Sequence, residues 1–399
     1  MRIEDFKPYC NRELCAGCMA CKDACPTNSI YLEILDDGFY YPIVNTNTCI
    51  NCNKCLNVCP VQKIKKNNDS QTLYSGIAND KANVFAASSG GVFGAIATKL
   101  LEEGYYVCGA AWTANLKLKH VLISSTEDLG TLLKSKYVQS YTEGVYAKID
   151  SLLKEDKKVF FVGTPCQVSG LQNYTNHHDN LLTADIICHG VPSQAMFDDY
   201  ISYLNYIHDG RVIDFSFRVK DNKFKHAHGY RYTYLKNGEC RTKEGIYSDS
   251  PYYYAFKEYL TFREACYACQ YATISRVGDI TLGDFWSIEK FDSKANTDRG
   301  VSLVVSNSER GAEIIKKIDT VRFREYPLRY GIETNYSLSH VTKKPTNYAE
   351  IMEFYRENGF EKTANKYFSK GKNLKYKIYW IIPAGIRNII RRIRGTLNV

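Results

Sequence analysis

Cys15-Ala16-Gly17-Cys18-Met19-Ala20-Cys21-Lys22-Asp23-Ala24-Cys25-Pro26 and Cys49-Ile50-Asn51-Cys52-Asn53-Lys54-Cys55-Leu56-Asn57-Val58-Cys59-Pro60 are one spacing written twice. Three Cys separated by two residues wrap one side of a small inorganic cube, and a fourth, followed by Pro, arrives from further along. A 4Fe–4S cube takes four thiolates, and where this run is doubled the fourth Cys serves the other cube. The spacing therefore groups Cys15, Cys18 and Cys21 with Cys59, and Cys49, Cys52 and Cys55 with Cys25. Zinc takes pairs of Cys in a tetrahedron, which a Cys triple closed by Cys-Pro does not offer. Between the halves, Ile30 to Ile34, the turn Asp36-Asp37-Gly38 and Phe39 to Ile43 predict a β-hairpin. The two halves are the chain's one clear internal repeat.

The run resembles that of bacterial two-cluster ferredoxins, but the chain has 399 residues, room for a small N-terminal module and a larger body. Composition is ordinary for a globular protein, 44% hydrophobic and 24% charged. Most of the formal net charge of +9 sits in one tail. Lys370 to Val399 holds eight basic residues and no acidic one. A nucleic-acid binder would carry its basic face on the folded body, so nucleic acid is not an expected partner. No stretch approaches the ~20 apolar residues of a membrane-spanning helix. Met1 to Pro8 lacks the apolar core of a signal peptide, so the expected location is cytoplasmic, with a peripheral position at the inner face of the membrane open. In a reducing compartment fifteen Cys point to metal ligation rather than disulfides. Cys10 and Cys240 read as incidental.

Residues 61–72 are polar and read as a linker. Beyond them, Phe85 to Gly94 contains Ser88-Ser89-Gly90-Gly91 and leads into an apolar-periodic helix ending near Glu103, then a strand from Tyr105 to Trp112. A Ser-Ser-Gly-Gly helix start offers free backbone N–H groups and the positive end of a helix dipole, suited to a phosphate such as a flavin pyrophosphate. Plain capping is the commoner use of such residues, and the spacing is not a dinucleotide-binding fingerprint. Ser135-Lys136-Tyr137 follows a Leu/Lys-rich helix and offers a cation beside an aromatic ring.

A buried strand, Lys158 to Val162, runs into Gly163-Thr164-Pro165-Cys166, which places Cys166 at a helix N-terminus where a thiolate is favoured. A second strand, Leu181 to Ile187, runs into Cys188-His189-Gly190. Asp214 to Tyr232 reads as β, with Arg218, Lys220, Lys223 and Lys225 interleaved with aromatics, a pattern open to an anionic-ligand surface but most simply a solvated face. Pro251 to Phe262 reads as a Tyr-rich helix. Cys266-x2-Cys269 follows, then a strand closing on Gly283-Asp284-Phe285-Trp286, a strand over 301–305 and a helix over 309–318. Cys166, Cys188, Cys266 and Cys269 are the number a further cube needs, and equally a zinc set; spacing does not choose. In the tail, Trp380 precedes Ile386, Ile389, Ile390, Ile393 and Leu397 on one helical face, a basic amphipathic pattern suited to a membrane surface or a partner over 376–399.

Taken in order, the doubled Cys run, Ser88-Ser89-Gly90-Gly91, Ser135-Lys136-Tyr137, Val162-Gly163-Thr164-Pro165-Cys166-Gln167, Cys188-His189-Gly190-Val191-Pro192-Ser193, and Cys266-x2-Cys269 followed by Asp279 to Asp284 resemble the coenzyme F-420 hydrogenase/dehydrogenase beta-subunit family. The form resembled has an N-terminal dicluster ferredoxin domain and occurs in bacterial polysaccharide gene clusters. The resemblance spans about residues 10–330 and excludes the tail. It implies an α+β chain, with a two-cluster ferredoxin domain over 1–62 and a mixed α/β flavin and Fe–S body over 73–330; beyond it the sequence reads as a helical extension over 331–369 and a basic tail over 370–399. It implies FAD held by Ser88, Ser89, Gly90, Gly91, Ser135, Lys136 and Tyr137, and a third 4Fe–4S cluster on Cys166, Cys188, Cys266 and Cys269. The expected function is electron passage from the ferredoxin-type clusters to FAD and on to a small organic acceptor, deazaflavin-like or a polysaccharide precursor. A redox partner protein or reduced ferredoxin is the expected donor. The rival expectation is a non-enzymatic electron-transfer subunit docked on a dehydrogenase. No catalytic residue is assigned; His189 and Asp284 are the candidates for proton relay.

Overall fold

A computed structural model describes residues 12–64, 71–220, 228–295 and 299–368. Cys10, Lys223, Lys225 and the whole basic tail lie outside the described residues.

The N-terminal hairpin forms as the alternation requires. β1 (Ile30–Ile34) pairs antiparallel with β2 (Tyr40–Val44). Gly38 takes φ 78 in the turn, where a side chain would be strained. The Asp37 carboxylate accepts from the Phe39 amide (3.0 Å) and the Tyr41 hydroxyl (2.8 Å), closing the turn.

The body strands are β3 (Thr72–Ala78), β4 (Tyr106–Trp112), β5 (Leu118–Ile123), β6 (Val159–Gly163), β7 (Leu181–Ile186), β8 (Arg211–Val219), β9 (Gly229–Lys236), β10 (Glu239–Ile246), β11 (Ile280–Asp284), β12 (Ser302–Ser306) and β13 (Val321–Tyr326). Eight form one sheet in the order β13-β3-β12-β11-β7-β6-β4-β5. Its middle, β4-β6-β7-β11, is parallel and its flanks are antiparallel. The central strands read as apolar runs because both faces are covered. On one face Phe160, Leu182, Ala184 and Ile280 pack under the helices Val92–Glu102 and Glu309–Lys317. On the other, Val159 and Phe161 pack under the helices Val145–Lys154 and Pro165–Tyr174. Burying each such Leu or Phe side chain contributes roughly 1.5–3 kcal/mol. β8, β9 and β10 form a separate antiparallel sheet. Its Phe215, Phe217, Tyr230, Tyr232 and Tyr234 join an aromatic core with Phe197, Tyr200, Tyr252 and Tyr253, which the helix Tyr348–Tyr367 completes with Ile351, Met352 and Tyr355. Much of the chain's Tyr content is spent there.

The cysteine module is packed into the second helical layer, with Cys18, Ala20 and Val58 in the same core as Val168 and Leu171. Asp23 caps the helix Val145–Lys154 from outside, accepting from the Gly144 (2.7 Å) and Tyr146 (3.1 Å) amides. Gly144 has no side chain to do so, and a carboxylate at a helix N-terminus is favoured by the dipole. Thr142 Oγ1 donates to the Cys18 carbonyl (2.8 Å), and Asn173 Nδ2 to the Lys63 carbonyl (2.8 Å).

Several elements differ from the sequence reading. The Leu/Lys stretch before Ser135 holds only a 3-10 turn, Thr126–Thr131, because Gly130 interrupts it. The Tyr-rich helix stops at Lys257, and Tyr259 takes φ 61. Cys240, taken from sequence as incidental, lies on strand β10 at a sheet edge. Arg218 and Lys220 are buried rather than on a solvated face. Among the described residues no helix is long and apolar enough to cross a membrane.

Candidate functional site

The parallel strands bring the site together. The β6–β7 register pairs Gly163 with Asp185, and the β7–β11 register pairs Thr281 with Asp185. The C-terminal ends of three neighbouring strands thus share one edge of the sheet, where α/β folds assemble sites. Thr164-Pro165-Cys166 leaves β6, Ile187-Cys188-His189 leaves β7, and β11 ends in Asp284. Pro165 opens the helix carrying Cys166, and Thr164 Oγ1 lies 3.2 Å from Cys166 Sγ. Cys266 and Cys269 come on a 3-10 turn, Glu264–Ala268, tied by the Cys266 amide to the Arg263 carbonyl (2.8 Å).

Asp185 and Arg276 hold these pieces in register. The carboxylate accepts from Arg276 Nη2 (2.6 Å) and Nε (3.1 Å), the Gly278 amide (2.8 Å) and Thr281 Oγ1 (2.9 Å). Arg276 also donates to the carbonyls of Ile186 (3.2 Å) and Tyr271 (3.1 Å). The end of β7 that leads to Cys188 is thereby clamped to the segment that follows Cys269. Both partners are essentially inaccessible to solvent, so satisfaction of the whole network is what makes the buried charges tolerable.

A cavity of about 550 Å³ is lined by Cys166, Cys188, Cys266 and Cys269. The four thiols are mutually coupled. Burial, and then charge at Cys269, push Cys166 up to about 11 against the Thr164 hydroxyl. Burial, Cys166 and Cys269 push Cys188 up to about 12. Burial, Cys188 and Cys269 push Cys266 up as well. Thiols that cannot all ionise unaided are the donor set a bound cation compensates. Among the described residues no three His, Cys, Asp or Glu side chains meet closely enough for a single ion; the four thiols surround a space rather than a point.

The same cavity is lined by Ser88, Ser89, Gly91, Ser135, Lys136 and Tyr137. Gly90, the other expected cofactor residue, faces inward. Its amide donates to Ser302 Oγ (2.9 Å), and a Cβ there would lie 2.1 Å from the Gly76 carbonyl oxygen. Gly91 (φ 88) starts the helix Val92–Glu102 with no side-chain cap, and Val92, Phe93 and Gly94 of the first turn line the cavity. Their N–H groups and the helix dipole present an anion-accepting end. The Ser88 hydroxyl accepts from the Ser135 amide (2.7 Å), which holds the two predicted segments together. Tyr137 stacks on Phe256 with centroids 4.0 Å apart.

Cations of β8, which the sequence reads most simply as a solvated face, complete this end. Arg218 occupies a bulge in β8 with φ 57, a device that re-aims a side chain. It donates to both Asp284 oxygens (2.9 Å each) and to the Ser88 carbonyl (2.8 Å), over the Trp286 ring. Burial opposes the Asp284 charge, yet Arg218 holds it below the ordinary carboxylate value. Burial, with Lys134 beside it, lowers Lys136 to about 7. Burial, with Arg218, lowers Lys220 to about 7 and also lowers Lys257. Only the Lys/Arg content of the strand signalled this; the bulge has no sequence signature. His189 lines the cavity with Nδ1 3.1 Å from Ser337 Oγ, and burial lowers it to about 4.

In the N-terminal module a void of about 40 Å³ is lined by Cys15, Cys18, Cys21 and Cys59, with Leu32, Tyr40, Pro42 and Val61 around them. Burial, then Cys59, Cys21 and Cys166, raise Cys18. Burial, Cys52 and Cys25 raise Cys55 to about 11. Cys59 thus lies with Cys15, Cys18 and Cys21 around one void, Cys25 and Cys52 lie within electrostatic reach of Cys55, and the donor chemistry suits iron–sulfur cubes. The coupling of Cys18 to Cys166 links this module to the body set. Gly170 makes the approach possible: a Cβ there would lie 3.2 Å from Cys18 Sγ.

Comparison with known proteins finds matches to two parts of the chain. Residues 14–65 match the 4Fe-4S dicluster domain, and residues 156–325 match the C terminus of the coenzyme F420 hydrogenase/dehydrogenase beta subunit. No curated protein matches. Among solved structures, a chain of the F420-reducing NiFe hydrogenase complex from Methanosarcina barkeri aligns at 17% identity with a TM-score of 0.41, covering 75% of this chain and 91% of that one. The chain thus carries a 4Fe–4S dicluster domain at its N-terminal end and, over residues 156–325, a segment similar to the C terminus of the coenzyme F420 hydrogenase/dehydrogenase beta subunit, which together give it an iron–sulfur redox character.

Proposed function

We propose that the protein is an iron–sulfur flavoenzyme that delivers electrons to a small organic acceptor. The supporting observation is that one cavity of about 550 Å³ carries Cys166, Cys188, Cys266 and Cys269 together with the Ser88–Gly91 helix start and the cations Lys136 and Arg218. In this reading Cys15, Cys18, Cys21 and Cys59 hold one cube, Cys49, Cys52, Cys55 and Cys25 a second, and Cys166, Cys188, Cys266 and Cys269 a third. The cubes supply single-electron transfer, and FAD supplies the exchange of single electrons for a hydride. The chain's own residues bind and orient. The first turn of the helix Val92–Glu102 and Lys136 would hold the flavin phosphates, with Tyr137 and Arg218 lining the same cavity. Asp284 is occupied by Arg218, so of the two proton-relay candidates neutral His189 is the better placed to hold a proton at its imidazole.

Electrons enter at the second cube. The loop holding Cys49 and Cys52 is exposed, with Ile50 63% accessible, and suits transient docking of a reduced ferredoxin or another redox protein. The acceptor belongs to one of two classes, a deazaflavin or a polysaccharide precursor. A purely conducting subunit has no use for a cavity of this size beside its third cysteine set. The test is anaerobic purification with flavin extraction. About one flavin per chain is expected, lost in Lys136→Met while iron is retained. Failure of iron-loaded wild type to bind added FAD would contradict the flavoenzyme reading and leave the conducting subunit.

A further inference from the structure

Among the described residues three arginines of the body are buried almost completely, and two have a carboxylate: Arg276 pairs with Asp185 at 2.6 Å and Arg218 with Asp284 at 2.9 Å. Arg263, with 0% exposure, is supplied differently. Its guanidinium donates to the Cys15 carbonyl, the Tyr40 carbonyl (3.1 Å) and Gln139 Oε1 (3.2 Å), all neutral oxygens. It lies 4.1 Å from the Tyr41 ring centroid, and Asp37 acts on it only at longer range. An uncompensated buried charge costs several kcal/mol, so a counter-charge belongs nearby.

The candidates are the cysteines on either side. Through its main chain Arg263 accepts from the Cys266 amide (2.8 Å) and donates to the Val191 carbonyl (3.0 Å), three residues beyond Cys188. Through its side chain it holds the Cys15 loop. Gly17 leaves room for this: a Cβ there would lie 2.8 Å from the Arg263 guanidinium and 2.5 Å from Gln139 Nε2. Gln139 completes the brace by donating to the Ala16 carbonyl (3.1 Å).

We propose that Arg263 is an electrostatic bridge between the Cys15 set and the Cys266 set, a positioning residue that compensates the negative charge of the loaded N-terminal site and raises its reduction potential. The proposal rests on the reading that both sets hold 4Fe–4S cubes. Each transfer takes one electron from one cube and adds it to the other. Arg263 stays protonated throughout, since guanidinium does not titrate in proteins, so no proton need accompany the step. Reduction adds negative charge, which a fixed cation favours.

The experiment is an anaerobic redox titration followed by electron paramagnetic resonance on the iron-loaded wild type, Arg263→Gln and Arg263→Lys. The cube on Cys49, Cys52, Cys55 and Cys25 serves as an internal reference. Arg263→Gln is expected to move the midpoint of the Cys15 cube downward relative to that reference, with Arg263→Lys restoring most of the shift. Unmoved potentials with full iron would overturn the proposal and leave the cluster reading intact. If Arg263→Gln loses iron at the Cys15 set, retention in Arg263→Lys supports the role of charge, and loss in both overturns it in favour of packing. A wild type that loads no iron would overturn the cluster reading and this inference with it.

Discussion

Lys136 shows what one side chain does in this site and how it is tested. Its ammonium is buried and donates to the Leu133 carbonyl (2.8 Å), with a value near 7 in place of the ordinary 10.5. Between those values the folded chain binds fewer protons at Lys136 than the unfolded chain. The cost of burying it is full below pH 7 and fades as pH rises toward 10.5, so its contribution to stability improves with pH across that window. Lys136→Met is therefore expected to be more stable than wild type at about pH 6.5, and the gap should shrink by about pH 9; thermal melts of the flavin-free proteins measure it. A gap that does not change with pH would show that Lys136 is already solvated. At this scale the sequence marks Lys136 and the cysteines by residue type and spacing. It gives Arg218 only as one basic residue of a strand and does not mark Arg263 or the Asp185–Arg276 clamp, because their roles arise from a bulge and from contacts 66 residues or more apart in the chain.

At the scale of elements, the central strands were legible because strands buried on both faces are apolar runs, and the helix behind Cys166 because Thr-Pro is a strong start signal. β5, β13 and the edge strand β10 were not. β10 is exposed over most of its length and carries Lys, Arg and Glu, so no period-two pattern separates it from a loop. The Ser-Ser-Gly-Gly segment suits plain capping or a phosphate, and the structure gives its glycines separate tasks. Gly91 supplies the left-handed turn into the helix, while Gly90 passes between β3 and β12, accepting from the Ala78 amide (2.7 Å). Gly90→Ala would place its methyl carbon against the Gly76 carbonyl and the Ser302 amide. A loss of about 2 kcal/mol or more is expected, read as a lower denaturation midpoint in urea. A neutral effect would mean that the β3–β12 crossing is loose.

Across the whole molecule, the N-terminal module is built into the body rather than tethered to it. Its cysteine loops supply core residues to the helical layer, an exposed cluster loop faces outward, and the inner cluster set faces Cys166 through Gly170. The doubled Cys run by itself describes a small ferredoxin. Only the parallel strand order, which no local pattern states, puts Cys166, Cys188 and the Cys266–Cys269 turn at one edge beside it. The account therefore turns on whether that edge is a third cube. Anaerobic metal quantitation of the full chain and of Cys266→Ser tests this most directly. About twelve iron atoms per wild-type chain and about eight in the variant are expected, with no zinc. About eight iron atoms in both proteins, with one zinc in the wild type alone, would contradict it.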